Sequence, residues 1–139
     1  MRSDIVYLDA PGRTQDLLNL KWALRAAGYT IGSMWHETGA NDIGMALRNH
    51  WSTEEIERLQ RCDLLVAICE GPNKTPPELA MMAGFALARG IKVCWIGSPV
   101  QGLTQFRSVK QYNTAEEFRR EIVSRSFSES IAVNERVAA

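Results

Sequence analysis

Apolar positions recur along this chain in two alternating rhythms. Ile5-Val6-Tyr7-Leu8, Leu64-Leu65-Val66-Ala67-Ile68-Cys69 and Ile91-Lys92-Val93-Cys94-Trp95-Ile96 are short, nearly continuous and partly β-branched, the pattern of strands covered on both faces. Between them the spacing becomes helical. Leu17, Leu20, Leu24 and Ala27 share one face of a segment that starts at about Thr14, where a hydroxyl can cap free amides, and that Gly28 ends. Ser52-Thr53-Glu54-Glu55 opens a second helix with a capping box, and Ile56 and Leu59 begin its apolar stripe. Thr75 to Gly90 reads as a third helix, and the stretch from about Thr114 through Phe118, Ile122 and Val123 as a fourth. Tyr29 to Trp35 reads as a second strand and Phe106 to Val109 as a short edge strand. His36 to Asn49, with two glycines and mixed polarity, reads as a long loop of the kind that often carries function.

Strands alternating with helices imply right-handed crossovers and a three-layer α/β domain with helices on both faces of a parallel sheet. The economical order is flavodoxin/Rossmann-like, 2-1-3-4 with the edge segment as a fifth strand, which places the first and third strands side by side where the order reverses. Ligands of such sheets sit in the crevice beyond the strand ends at that point. The loop after Leu8, the Trp35 to Asn49 loop and the Glu70 to Glu78 segment should line it. The α/β domain is assigned to residues 1–125 and a frayed or partner-dependent tail to 126–139, where periodicity fades.

Composition narrows the partners. With 16 basic and 16 acidic side chains among 139 residues and no basic block, binding of nucleic acid or of an anionic membrane by bulk charge is not expected. Cys62, Cys69 and Cys94 lack CxxC spacing and read as core residues of a reducing compartment. No basic-then-apolar leader opens the chain and no apolar run approaches ~20 residues, so a cytoplasmic location is expected. His36 and His50 have no zinc-site spacing, and GxGxxG, GxxxxGK[ST] and G-x-S-x-G are all absent, so neither a metal nor a bound cofactor is expected.

Glu78 stands out because Thr75 suits an N-cap and Pro76 the first helical turn, which puts this carboxylate at a helix N-terminus over the crevice. There it either closes a capping box or, kept ionised by the helix dipole, serves as a nucleophile. Glu55 carries the same ambiguity between a cap and an acceptor for sugar hydroxyls. Tyr7 and Asp9 share a face at the end of the first strand, and Trp35 and His36 follow the second, where an indole can stack on a base.

These residues resemble the nucleoside 2-deoxyribosyltransferase superfamily, including its nucleotide N-glycosidase branch. The resemblance runs from Ile5-Val6-Tyr7-Leu8 through Ala26-Ala27-Gly28-Tyr29 and Ser33-x-Trp35 to Ile56 to Ala67. It is most specific at Ala83-Gly84-Phe85-Ala86-Leu87-Ala88-Arg89-Gly90-Ile91-Lys92-Val93. It implies a glutamate nucleophile that forms a covalent glycosyl enzyme, with acidic groups holding the sugar. Aligned without a gap, that glutamate falls on Met82, and Glu78 lies one turn earlier on the same helix face. The sugar-binding aspartate falls on Glu55. The resemblance therefore assigns Glu78, Glu55 and Tyr7 to catalysis, and Asp9, Ala10, Gly12, Trp35, His36, Gly71, Asn73 and Met82 to the substrate. It also implies a homodimer.

Three functions stay open: cleavage or transfer of an N-glycosidic bond of a nucleoside or nucleotide, an inactive relative that binds or senses a nucleotide-derived ligand, and a non-catalytic interaction domain. Met82 favours the second. Trp22, Trp51 and the tail would supply contact surface for the third.

Overall fold

The computed structural model describes residues 4–12, 14–37, 52–69, 77–98, 102 and 106–124. Five strands form one sheet: β1 (Ile5–Asp9), β2 (Thr30–Ile31), β3 (Leu64–Cys69), β4 (Lys92–Gly97) and β5 (Val109–Tyr112). Their order is β2-β1-β3-β4-β5 and every pairing is parallel. This is the expected order, with the fifth strand present at the edge beside β4. Four helices are described: α1 (Gln15–Ala26), α2 (Thr53–Gln60), α3 (Pro77–Ala88) and α4 (Ala115–Ser124). Contacts pair α1 with α4 and α2 with α3, and α3 also packs on β3 and β4, so the sheet is covered from both sides.

Burial follows from that layering. Leu64–Cys69 of β3 is buried at every position, as a central parallel strand must be when helices lie on both faces. Leu17, Leu20 and Leu24 of α1, Leu79, Met82, Ala83 and Ala86 of α3, and Phe118 of α4 join the strands in one core. Thr14 caps α1 by accepting the Leu17 amide at 3.2 Å. The helix closes at Gly28, whose φ of +97° suits a residue without a Cβ, with Gly28 and Tyr29 amides donating back to Arg25 and Leu24. Gly90 (φ +74°) ends α3 in the same way, through Leu87 and Ala86.

Two elements differ from the sequence-based expectation. The second strand pairs only at Thr30–Ile31, and Trp35–Glu37 is a 3-10 turn. Past Ile31 the Gly32 amide still donates to the Val6 carbonyl at 2.8 Å, but the next partner of β1 is a side chain: the Leu8 amide donates to Ser33 Oγ at 3.0 Å. The chain leaves the ladder there because a hydroxyl takes over the acceptor role. The edge strand begins at Val109, because Phe106 to Val109 closes a turn in which the Val109 amide donates to the Phe106 carbonyl at 3.1 Å.

The three cysteines are free and buried. Burial pushes the Cys62 thiol up to about 12, so it stays protonated at neutral pH. No described helix is long and apolar enough to cross a membrane.

Gly32 is the tightest approach in this part of the molecule: a Cβ there would lie 2.7 Å from Cys62 Sγ and 2.8 Å from Ile5 Cγ2. Gly32→Ala should therefore cost about 1–3 kcal/mol through overpacking, read as a lower midpoint in chemical denaturation, with Cys62→Ala recovering part of the loss.

Candidate functional site

β1 is flanked by β2 on one side and β3 on the other, so the reversal of strand order lies at its carboxyl end. Tyr7, Asp9 and Ala10 lie there, all buried. Gly12 follows in the turn leading to α1 and is partly exposed. Asp9 Oδ1 accepts the Ala10 amide at 3.0 Å, which fixes the carboxylate against the end of its own strand.

Glu55 arrives from the first turn of α2 and is only 1% exposed. Ser52 Oγ accepts the Glu55 amide at 3.3 Å, the expected half of the capping box. The carboxylate turns across to the chain leaving β2: Oε1 accepts the Met34 amide at 3.0 Å and the Trp35 amide in a shorter contact. Oε2 accepts Arg58 Nη1 at 3.2 Å. Four donors from two segments, α2 and the stretch that follows β2, thus converge on Ser52 and Glu55.

The 3-10 turn so held carries two rings. The Trp35 indole donates from Nε1 to the Leu8 carbonyl at 2.8 Å, and its ring meets that of His36 edge-on with centroids 5.4 Å apart. His36 Nε2 shares a 2.8 Å hydrogen bond with Ser33 Oγ, the atom that receives the Leu8 amide. Both rings are buried, so in this chain they brace β1. From the far side Lys21, itself buried on α1, grips Glu37 at 2.5 Å and Arg25 adds a contact at 3.3 Å. The Lys21 hydrogen bond holds the Glu37 carboxyl below the usual glutamate range.

Tyr7 sits within the electrostatic reach of this carboxylate set. Its hydroxyl is fully buried and has no hydrogen-bond partner among the described residues. Burial, then the negative charges of Asp9 and Glu55, push its pKa well above the ordinary tyrosine value. The phenol is consequently a neutral donor at any physiological pH, suited to hydrogen-bonding a substrate atom or a carboxylate and unsuited to act as a base.

The remaining predicted residues separate. Glu78 lies in the first turn of α3, on the crevice side of β3, and is exposed. Met82, one turn further, is 1% exposed and belongs to the core. Gly71 and Asn73 lie outside the described residues, as do Thr75 and Pro76. Sequence reasoning passed over Ser33, Arg58, Lys21 and Glu37 as parts of this assembly. Only Ser33 carried a signal, a lone hydroxyl where strand pairing should have continued. Among the described residues no group of His, Cys, Asp and Glu is placed to hold a metal ion.

An all-parallel, five-stranded α/β domain with buried acidic and phenolic groups at its switch point is the class that fold and site define. Its architecture is similar to that of the Clostridium botulinum CMP N-glycosidase BcmB. The TM-score is 0.56 over 85% of this chain and 97% of that one, at 18% sequence identity. The likeness is one of fold, a three-layer α/β architecture of the kind that the sequence resemblance implies. No protein-family model and no curated protein matches the sequence.

Two outcomes follow from this geometry. Because the carboxyl of Glu37 is held low by Lys21, its contribution to stability is complete above the ordinary glutamate range. That contribution should be lost as the pH falls below about 4.5, through the depressed folded-state value. In Lys21→Met the acid limb of a stability-against-pH curve should flatten correspondingly. Tyr7→Phe removes a buried hydroxyl without a described partner, so stability should hold within about 1 kcal/mol or rise. Any catalytic turnover should drop by about 10- to 100-fold, the loss of one hydrogen bond from a donor in the site.

Proposed function

We propose that this domain recognises a nucleoside or nucleotide in the crevice beyond β1 and β3 and cleaves or transfers its N-glycosidic bond. The observation that carries the reading is the convergence of Tyr7, Asp9 and Glu55 at the switch point of a fold similar to that of a CMP N-glycosidase. Glu78 is the nucleophile. Its carboxylate attacks the anomeric carbon as the bond to the base nitrogen breaks, giving a glycosyl ester, and the base departs with a proton taken from a neighbouring donor. Water, or the nitrogen of a second base, then opens the ester and regenerates the carboxylate.

Each group has a role set by its surroundings. The first turn of α3 presents free backbone amides that attract a negatively charged group. Tyr7 supplies a neutral hydrogen-bond donor and Asp9 a fixed negative charge near the developing cationic sugar. Glu55, whose oxygens are occupied by Met34, Trp35 and Arg58, shapes the wall of the crevice through that turn. Ala10 and Gly12 flank the sugar and base, and His36 supports them from behind through Ser33. Trp35 and Met82 back the pocket from the core side.

The burial of Met82 where the resemblance puts a glutamate favours a second reading, a non-catalytic binder of a nucleotide-derived ligand.

The test is to incubate the protein with CMP and a panel of ribo- and deoxyribonucleosides and their monophosphates, and to follow free base by chromatography. Base release that falls by at least about 10³-fold in Glu78→Ala supports the enzyme, since removal of a nucleophile has effects of that size. Ligand-dependent thermal stabilisation with no base released supports the binder. Neither response would remove both readings.

A further inference from the structure

The carboxyl end of β1 is held by side chains where a sheet ordinarily uses backbone. In a parallel ladder the peptide groups of alternate residues turn to opposite neighbours, and β1 keeps that alternation. The Ile5 carbonyl accepts the Asp63 amide at 2.8 Å on the β3 side, whereas the Val6 carbonyl accepts the Gly32 amide at 2.8 Å on the β2 side. Leu8 is the next residue to turn that way, beyond the end of β2 at Ile31. Its amide donates to Ser33 Oγ at 3.0 Å and its carbonyl accepts Trp35 Nε1 at 2.8 Å. Leu8, Ser33 and Trp35 are all buried, so bulk water does not substitute for either partner.

Leu8 stands between Tyr7 and Asp9, and its two peptide units join it to them. Whatever sets the tilt of those units sets the directions in which the phenol and the carboxylate leave the strand. The indole N–H of Trp35 can only donate, so chemistry alone fixes its bond. Ser33 has a choice. Its oxygen already receives the Leu8 amide, and the described neighbour left for its own proton is His36 Nε2 at 2.8 Å. Nε2 can accept only when the ring proton sits on Nδ1. With a hydrogen on Nε2, two donors would converge on Oγ and the hydroxyl proton would have no described acceptor, at a position where both side chains are fully buried and an unmet donor is costly.

We propose that Ser33, aimed by the Nδ1–H tautomer of His36, is a positioning residue for the crevice: it fixes the peptide between Tyr7 and Leu8 and through it the directions of Tyr7 and Asp9. This role rests on the reading of Tyr7 and Asp9 as groups that face the ligand. Ser33 and His36 act through β1 and not on the ligand itself.

Three measurements on the full chain test it. Nitrogen NMR of wild type with isotope-labelled histidine should show His36 protonated on Nδ1 and bare on Nε2. With CMP as substrate, Ser33→Ala and His36→Ala should each lower kcat for base release by about 10- to 100-fold, the scale of a small misplacement, and change KM by less than about 3-fold. His36→Gln, whose amide oxygen can accept the same hydroxyl proton, should recover most of that loss. The carbon that bears the Tyr7 hydroxyl should shift its resonance in both alanine variants and return in His36→Gln, with or without turnover.

A His36 ring protonated on Nε2 overturns the proposal. So does a Tyr7 resonance indifferent to these substitutions, and so does a loss confined to KM or to the thermal midpoint. If Ser33→Ala does not fold, the wild-type tautomer and the His36 pair decide. A wild type that releases no base from CMP removes the glycosidase reading alone, and the tautomer and the Tyr7 resonance still decide the role of Ser33.

Discussion

The buried carboxylate of Glu55 is the constraint around which this domain is organised. A charge removed from water is tolerated only when donors surround it, and here two backbone amides and a guanidinium do so. Those amides belong to Met34 and Trp35, twenty residues earlier in sequence and beyond the end of β2. The same contact therefore ends the second strand, starts the 3-10 turn and ties both to the first turn of α2. Losing the carboxylate would leave two buried amides without an acceptor, a larger penalty than the loss of an ordinary surface ion pair.

From that anchor the order spreads to β1 through side chains. Trp35 reaches the Leu8 carbonyl, Ser33 receives the Leu8 amide, and His36 completes the chain by bonding to Ser33. The carboxyl end of β1 is thus held by groups that stand in for a longer β2, and Tyr7 and Asp9 project from a rigid strand. Lys21 and Arg25 secure the other side of the turn through Glu37, linking it to the opposite helical layer. The carboxyl end of β1 is consequently fixed from both faces of the sheet. Rigid placement is what any site needs if a neutral phenol and a carboxylate are to act together on a ligand.

Much of this frame was legible because local rules governed it. The apolar runs of β1, β3 and β4, the Thr14 and Ser52 caps and the glycine exits at Gly28 and Gly90 each rest on a few neighbouring residues, and the strand order follows from crossover handedness. Glu55 was legible as a helix-start carboxylate. Its destination was not, since capping chemistry points to the Ser52 amide while the tertiary structure offers Met34 and Trp35. Trp35 likewise appeared as a stacking surface because composition around it is polar, and nothing local foretold that its indole N–H would be committed to Leu8. Lys21 and Glu37, sixteen positions apart, are joined by packing of α1 beside the turn, a contact without a sequence rhythm.

The placement of Glu78 relative to Met82 obeys the same electrostatic rule. Position 82 lies over the sheet in the core, where a carboxylate would need donors such as those Glu55 has, and its neighbours Leu79, Ala83 and Ala86 have none to offer. One turn toward the N-terminus, at position 78, the side chain stands clear of the core and its charge is stabilised by water and by the free amides of the helix start. A thioether at 82 with a carboxylate at 78 is therefore the self-consistent pair for this helix: the apolar group seals the core, and the polar group meets water at the helix start. A carboxylate at 82 would call for a rebuilt α3 with a polar partner drawn from β3 or α2. The carboxylate at 78 and the thioether at 82 are separated along the helix axis by about 6 Å, the rise of four residues, and that short step carries the chain from water to the core.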